Sequence, residues 1–230
     1  MTSAPRTSAA APVMSLEQVA ALLHAARTRR ARDYHLWGCV YFLGLRLREA
    51  LELRLDQVER DAAGVPRVVN VPTIRRGLSA RTMERPTQAV RVLSGHTLIA
   101  AAFDAAASYR MERPTSALLF PGQDPLRTLS AVSAWQSFKR LVRAAGLPAR
   151  TSPESLRGAA RAQLLAASRD RHVVRAWLRV RGDRRRHRPN VPEPVWLALE
   201  GALDLPPLRH LAADLDRGRP SRPHAAPGPS

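Results

Sequence analysis

The chain has 230 residues, 37 Lys plus Arg against 19 Asp plus Glu, and a net charge of +18. So large a cationic excess points to a polyanionic partner, and nucleic acid fits it better than an anionic membrane or an acidic protein. No stretch approaches the ~20 uninterrupted apolar residues of a membrane span, and one cysteine, Cys39, leaves no disulfide within the chain, as suits a reducing cytoplasm.

Residues 1–14 are rich in Ala, Ser and Pro, lack the hydrophobic centre of a secretory signal, and read as a flexible leader. Ser15 and Gln18 then have capping-box spacing, and Leu16, Val19, Leu22 and Leu23 follow at helical spacing. Arg27 to Arg32 read as a basic break. Asp33 is the expected cap of a second helix, whose apolar run from Leu36 to Leu43 predicts burial on all sides. Cys39 falls in that run and is expected to be a small core residue. Gly44 interrupts the run, and a leucine-rich helix resumes from Leu45 to about Val58.

The period then changes. Val68 to Val71 and Ala89 to Leu93 read as two strands joined by a basic loop holding Arg75, Arg76 and Arg81. Helices are expected from His96 to Tyr109 behind Ser94, from Leu129 to Ala145 before Gly146, from Ser152-Pro153 to about Ala167, and over Val173 to Val180. The short apolar run Ala117 to Phe120 stops at Pro121-Gly122. Gly182 to Pro194 is a basic loop, and Val195 to Leu203 a last helix. Trp37 reads as core, and Trp135, Trp177 and Trp196 as core rather than base-stacking platforms. The expected organisation is a leader (1–14), one core domain (15–205) and a disordered Pro/Arg/Ala-rich tail (206–230). Its fold class is mainly α with a small antiparallel β-sheet insert. No metal site is expected, since there is no Cys-x-x-Cys or His-x-x-x-His pair and the seven histidines are scattered. No phosphate-binding glycine loop appears, and no cofactor is expected.

Four stretches, in order, resemble the catalytic core of the tyrosine recombinases, the phage integrase family of DNA breaking-rejoining enzymes. Leu43-Gly-Leu-Arg-Leu-Arg-Glu49 resembles that family's first-arginine box, which places Arg46 as a catalytic arginine and Glu49 as its acidic neighbour. The strand, basic loop, strand unit stands where the family carries an active-site lysine. Leu118-Leu-Phe-Pro121, Phe138-Lys-Arg140 and Ala145-Gly-Leu147 are similar to the family's linking segment. Glu154-Ser-Leu-Arg157 resembles its His-x-x-Arg box and places Arg157 as the second catalytic arginine. The resemblance implies that two guanidinium groups hold one scissile phosphate, a task suited to a planar, permanently charged fork. A surface arginine beside a leucine helix is the ordinary alternative for each. The resemblance also implies double-stranded DNA as partner, another recombinase subunit as a further one, and an oligomer on DNA. Contacts to the DNA backbone are expected from Arg75, Arg76, Arg81, Lys139, Arg140, Arg143, Arg179 and Arg181.

The departures bear on mechanism. The family's nucleophile is a tyrosine near the C-terminal end, but the tyrosines here are Tyr34, Tyr41 and Tyr109, none after Arg157. His187 is the one nucleophilic side chain in Arg184 to Asn190, and reads as a surface histidine. Glu154 stands where the family has histidine. The family's Leu-Gly-His segment appears as Leu178-Arg179-Val180, without its donor. The position of the active-site lysine offers only arginine, a poor general acid because it stays protonated. The N-terminal clamp domain of many members is also expected to be lacking. The expectation is an integrase-like DNA-binding protein that does not cleave DNA. The alternatives are an active recombinase with a displaced or partner-supplied nucleophile, and a regulatory module that binds another recombinase.

Overall fold

The computed structural model describes residues 13–72, 87–112, 116–180 and 190–205. Helix α1 spans Leu16–Arg29 and α2 spans Ala31–Phe42. The capping box at α1 is formed: Ser15 Oγ accepts from the Gln18 backbone N–H and Gln18 Oε1 accepts from the Ser15 N–H at 3.0 Å. The basic break is narrower than expected, because α1 runs to Arg29 and α2 starts at Ala31. Asp33 caps nothing. It lies inside the first turn of α2, buried, where Ser137 Oγ donates to it. A buried carboxylate requires such a donor, and the sequence could not reveal one that arrives from a distant helix.

The long apolar run of α2 is explained by its neighbours, since α1, α4 (His96–Glu112) and α6 (Pro153–Ser168) all pack on it. Trp37 meets Phe138 edge-on with ring centres 4.7 Å apart. Cys39 is wholly buried, and burial pushes its thiol up to about 12.

Helix α3 covers only Leu47–Leu51. A 3-10 turn (Leu55–Gln57) and a short strand β1 (Val58–Arg60) replace the expected helical continuation. Three residues are too few to show an alternating pattern. Strand β1 exists because β2 (Pro66–Pro72) offers it a partner in an antiparallel ladder, with Val58 opposite Val69. Strand β3 (Thr87–Arg91) pairs with the other edge of β2, Val69 opposite Val90, and begins two residues before the expected strand. The sheet order is β1-β2-β3. Val69, Val71 and Val90 face the core. The basic loop with Arg75, Arg76 and Arg81 lies outside the described residues.

Helix α5 (Ala131–Ala144) starts at Ser130, whose side chain caps the Ser133 N–H, and ends before Gly146 at φ +63°. Ser152 caps α6 with Pro153 in its first turn. Helix α7 spans Arg171–Trp177 and α8 spans Glu193–Ala198, shorter than the expected last helix. Beyond it Leu199, Leu203 and Leu205 are buried, and the Gly201 N–H donates to Leu93 O at 2.8 Å. Arg67 on β2 reaches Glu200 at 2.6 Å, fastening this segment to the sheet. Met14, expected in the leader, is buried in the core. Residues 1–12 and 206–230 lie outside the described residues.

Trp37 and Trp177 are core, and Trp196 is half-buried. Trp135 is not core: it is 41 % exposed on α5 and carries Lys139 over its ring at 4.8 Å. Helical position alone does not set burial, because α5 presents only one face to the protein. Among the described residues, no helix is long and apolar enough to cross a membrane.

Gly44, in the turn after α2, lies close against Trp177 of α7. Its φ is +57°, and a Cβ there would clash with the Trp177 ring, 2.4 Å from its nearest carbon. Gly44→Ala is expected to lower stability by about 2–4 kcal/mol, combining left-handed backbone strain with overpacking. Urea unfolding followed by circular dichroism measures this, and an unchanged midpoint would contradict so tight a contact.

Candidate nucleic-acid interface

The site is built from three segments that are distant in sequence. The first is the turn between α2 and α3. Leu43 and Leu45 are buried on either side of Gly44, and the Leu45 N–H donates to Val40 O at 3.1 Å. These anchors fix Arg46, the next residue, at the exposed start of α3. Its backbone N–H donates to Glu49 Oε2 at 2.9 Å. Glu49 is therefore turned inward and buried.

The second segment is the start of α6. Its cap at Ser152 sets the helix phase so that Arg157 points into the protein, with 8 % of the residue exposed. Arg157 Nε donates to Gly44 O at 2.8 Å, Nη2 donates to Leu178 O at 3.3 Å, and Nη1 donates to Glu154 Oε1 at 2.9 Å. Two of these acceptors are backbone carbonyls of other segments. Glu154 stays at the rim with most of its side chain in solvent, so that pair contributes little to stability. In the sequence Glu154 stood out only as a departure from the family's histidine. Its carboxylate faces Arg157. A guanidinium has five N–H donors, so the three bonds leave Arg157 with unused donor capacity.

The third segment is the end of α7. Arg179 adopts φ +54°, a left-handed conformation rare for a residue with a side chain, at the position where the resembling family segment has glycine. Its side chain is 5 % exposed, and Nη2 forms an ion pair with Glu49 Oε2, the same oxygen that holds the Arg46 N–H. Burial pushes the Arg179 pKa down. The charge of Glu49 opposes this, and the charges of Arg157 and Arg46 add to the lowering. Arg157 and Arg46 thus both lie within electrostatic reach of Arg179, which pairs with the buried carboxylate of Glu49.

The other expected contacts are placed differently. Lys139 Nζ donates to Ala149 O at 2.6 Å and Thr151 O at 2.8 Å, so its ammonium holds the loop leading into α6. Arg140 and Arg143 are exposed on α5, and Arg143 Nε donates weakly to Lys139 O at 3.4 Å. No hydrogen bond or ion pair among the described residues joins these three to Arg46 or Arg157. Arg181 and His187 lie outside the described residues, with Arg75, Arg76 and Arg81. The sequence reading missed the Gly44 and Leu178 carbonyls. Backbone acceptors carry no side-chain signal, although the positive charge beside the Gly44 turn was visible.

Residues 12–179 match the phage integrase family. Among curated protein sequences none matches the chain. Among solved structures, the XerH site-specific recombinase bound to palindromic difH substrate is similar at TM-score 0.60 and 15 % identity, over 93 % of this chain and 56 % of that one. The integrase from mycobacterium phage Brujita is similar at TM-score 0.61 and 18 % identity, over 91 % of this chain and 63 % of that one. A lambda integrase (75-356) dimer bound to a COC' core site is similar at TM-score 0.55 and 13 % identity, over 80 % of this chain and 62 % of that one. The chain thus spans little more than half the length of the XerH chain. At these identities the structural likeness shows the fold, and the sequence match over residues 12–179 shows the family. The chain belongs to the phage integrase family, the tyrosine recombinases.

Proposed function

We propose that this chain binds double-stranded DNA by cradling a backbone phosphate between Arg46 and Arg157, and that it does not break the strand itself. The observation that carries the reading is that Arg157 Nε bonds the Gly44 carbonyl, two residues before Arg46, while the Arg46 N–H and Arg179 share Glu49 Oε2. Arg46 is exposed and free to swing onto a phosphate, while Arg157 is fixed and keeps unused donors. A mobile and a fixed guanidinium on one oxyanion give a charge-assisted grip that reads the backbone and not the base sequence. The net charge of +18 supports a long-range attraction to the same polyanion. XerH bound to difH substrate and the lambda integrase dimer bound to a core site are DNA complexes of the same fold.

The loss of cleavage rests on side-chain chemistry. An attacking phenol must be exposed and must lose its proton. Tyr41 is wholly buried and burial pushes its pKa up. Tyr34 is also raised by burial, against the opposing charge of Arg27. Both belong to α2, and Tyr109 belongs to α4. No tyrosine follows Arg157 in the sequence. Arg140 and Arg143, exposed on α5, and Arg75, Arg76 and Arg81 would be further contacts to the DNA backbone.

Arg46→Ala is expected to weaken binding to a duplex about tenfold at matched salt. The slope of log affinity against log salt should fall by ~0.9 for the one lost phosphate contact. Fluorescence anisotropy over a salt series reads both, and wild-type behaviour would remove the cradle. Arg157→Ala is expected to lower stability as well, by about 2–4 kcal/mol, because it strips the donor from two buried carbonyls. Arg46→Ala should change stability by no more than about 0.5 kcal/mol. Equal unfolding midpoints for the two variants would mean that Arg157 does not tie the segments together. Finally, a nicked suicide duplex should yield no covalent protein–DNA adduct on a denaturing gel. An adduct would restore the reading of an active recombinase.

A further inference from the structure

Arg179, expected from the sequence as a contact to the DNA backbone, is buried on Glu49. It pairs with Glu49 through Nη2, yet its Nη1 is buried with no hydrogen-bond partner among the described residues. A buried guanidinium N–H without an acceptor is costly. So is a left-handed backbone on a residue with a side chain. Neutralising Glu49 would need only the donor already engaged. Like charges also lie near it: Arg157 Nη2 bonds to the carbonyl of the preceding residue, Leu178, and the positive charges of Arg157 and Arg46 both act on Arg179, while the backbone N–H of Arg46 shares with it the same Glu49 oxygen. The neighbouring Val180 is aliphatic, 39 % exposed, and offers no side-chain donor. Strain, repulsion and an idle donor coincide at one point, and an anion would relieve the last two.

We propose that Arg179 is a third donor to the phosphodiester oxyanion. Its Nη1 bonds an oxygen of the phosphate held by Arg46 and Arg157, while Nη2 stays on Glu49, which acts as a positioning residue. The planar fork of arginine suits two acceptors on two sides, and the ammonium of lysine does not reproduce it. This rests on the cradle reading above, and deepens it by making a residue outside the resembling arginine boxes part of the grip.

The decisive variant is the double substitution Arg179→Gly with Glu49→Gln. It removes one positive and one negative charge together, so the net charge of the site is unchanged, and glycine accepts the left-handed backbone. Binding to a duplex is read by fluorescence anisotropy over a salt series, with circular dichroism melts to verify folding. The expected result is a loss of about tenfold or more at matched salt, with a salt slope smaller by ~0.9. Unchanged affinity and slope would overturn the proposal and leave Arg179 as a partner for Glu49 alone. If the double variant does not fold, Arg179→Lys decides. It keeps a cation for Glu49 but removes the fork, and should also weaken binding and flatten the slope; wild-type behaviour would again overturn the proposal. Arg46→Ala runs in parallel. If it weakens binding and the Arg179 variants do not, only the third donor is lost. If Arg46→Ala also binds like the unaltered chain, the cradle reading has failed, and this proposal with it.

Discussion

The guanidinium of Arg157 bonded to the carbonyls of Gly44 and Leu178 is the contact on which the site depends. A carbonyl at the end of a helix has lost its intrahelical partner. Here two such turns, one after α2 and one after α7, share a single cation from α6. The bonds fix the spacing of three segments that meet nowhere else in sequence. They also compensate burial of a charge that would otherwise be costly. Gly44 serves this contact twice. Its missing side chain lets the Trp177 ring approach, and its carbonyl receives Arg157.

Around that tie the site balances like charges against one inward carboxylate. Glu49 accepts from the Arg46 backbone and from Arg179, so one oxygen fixes the entry to α3 and the exit from α7 together. Glu154 lies at the rim and moderates Arg157 without covering it. The outcome is a cluster still rich in positive charge, held rigid by backbone acceptors. Preorganisation of this kind suits the gripping of an anion, because little has to be rearranged when the anion arrives.

The parts of the fold that were legible in the sequence were those written in local chemistry. Ser15 with Gln18, Ser152 with Pro153, and Gly146 each marked a helix end through a side chain or a φ angle that acts within a few residues. The unbroken apolar run of α2 announced its central place. Strand β1 was not legible, because only its pairing with β2 makes it a strand. Asp33 was misread because its partner, Ser137, stands on another helix. Trp135 was misread because hydrophobicity does not say which side of α5 faces solvent. At the site, the arginine boxes picked out Arg46 and Arg157. Position alone could not separate Arg179, buried on Glu49, from surface cations such as Arg140.

Lys139 is the only lysine among 37 cationic side chains. It rests on the Trp135 ring and holds the carbonyls of Ala149 and Thr151, immediately ahead of the Ser152 cap. Amine-directed chemistry therefore has a single side-chain target in this protein. Acylating that amine, or coupling it to a resin, would release the strap before α6 and loosen the helix that carries Arg157. Attachment through a carboxylate or an affinity tag would leave the strap in place.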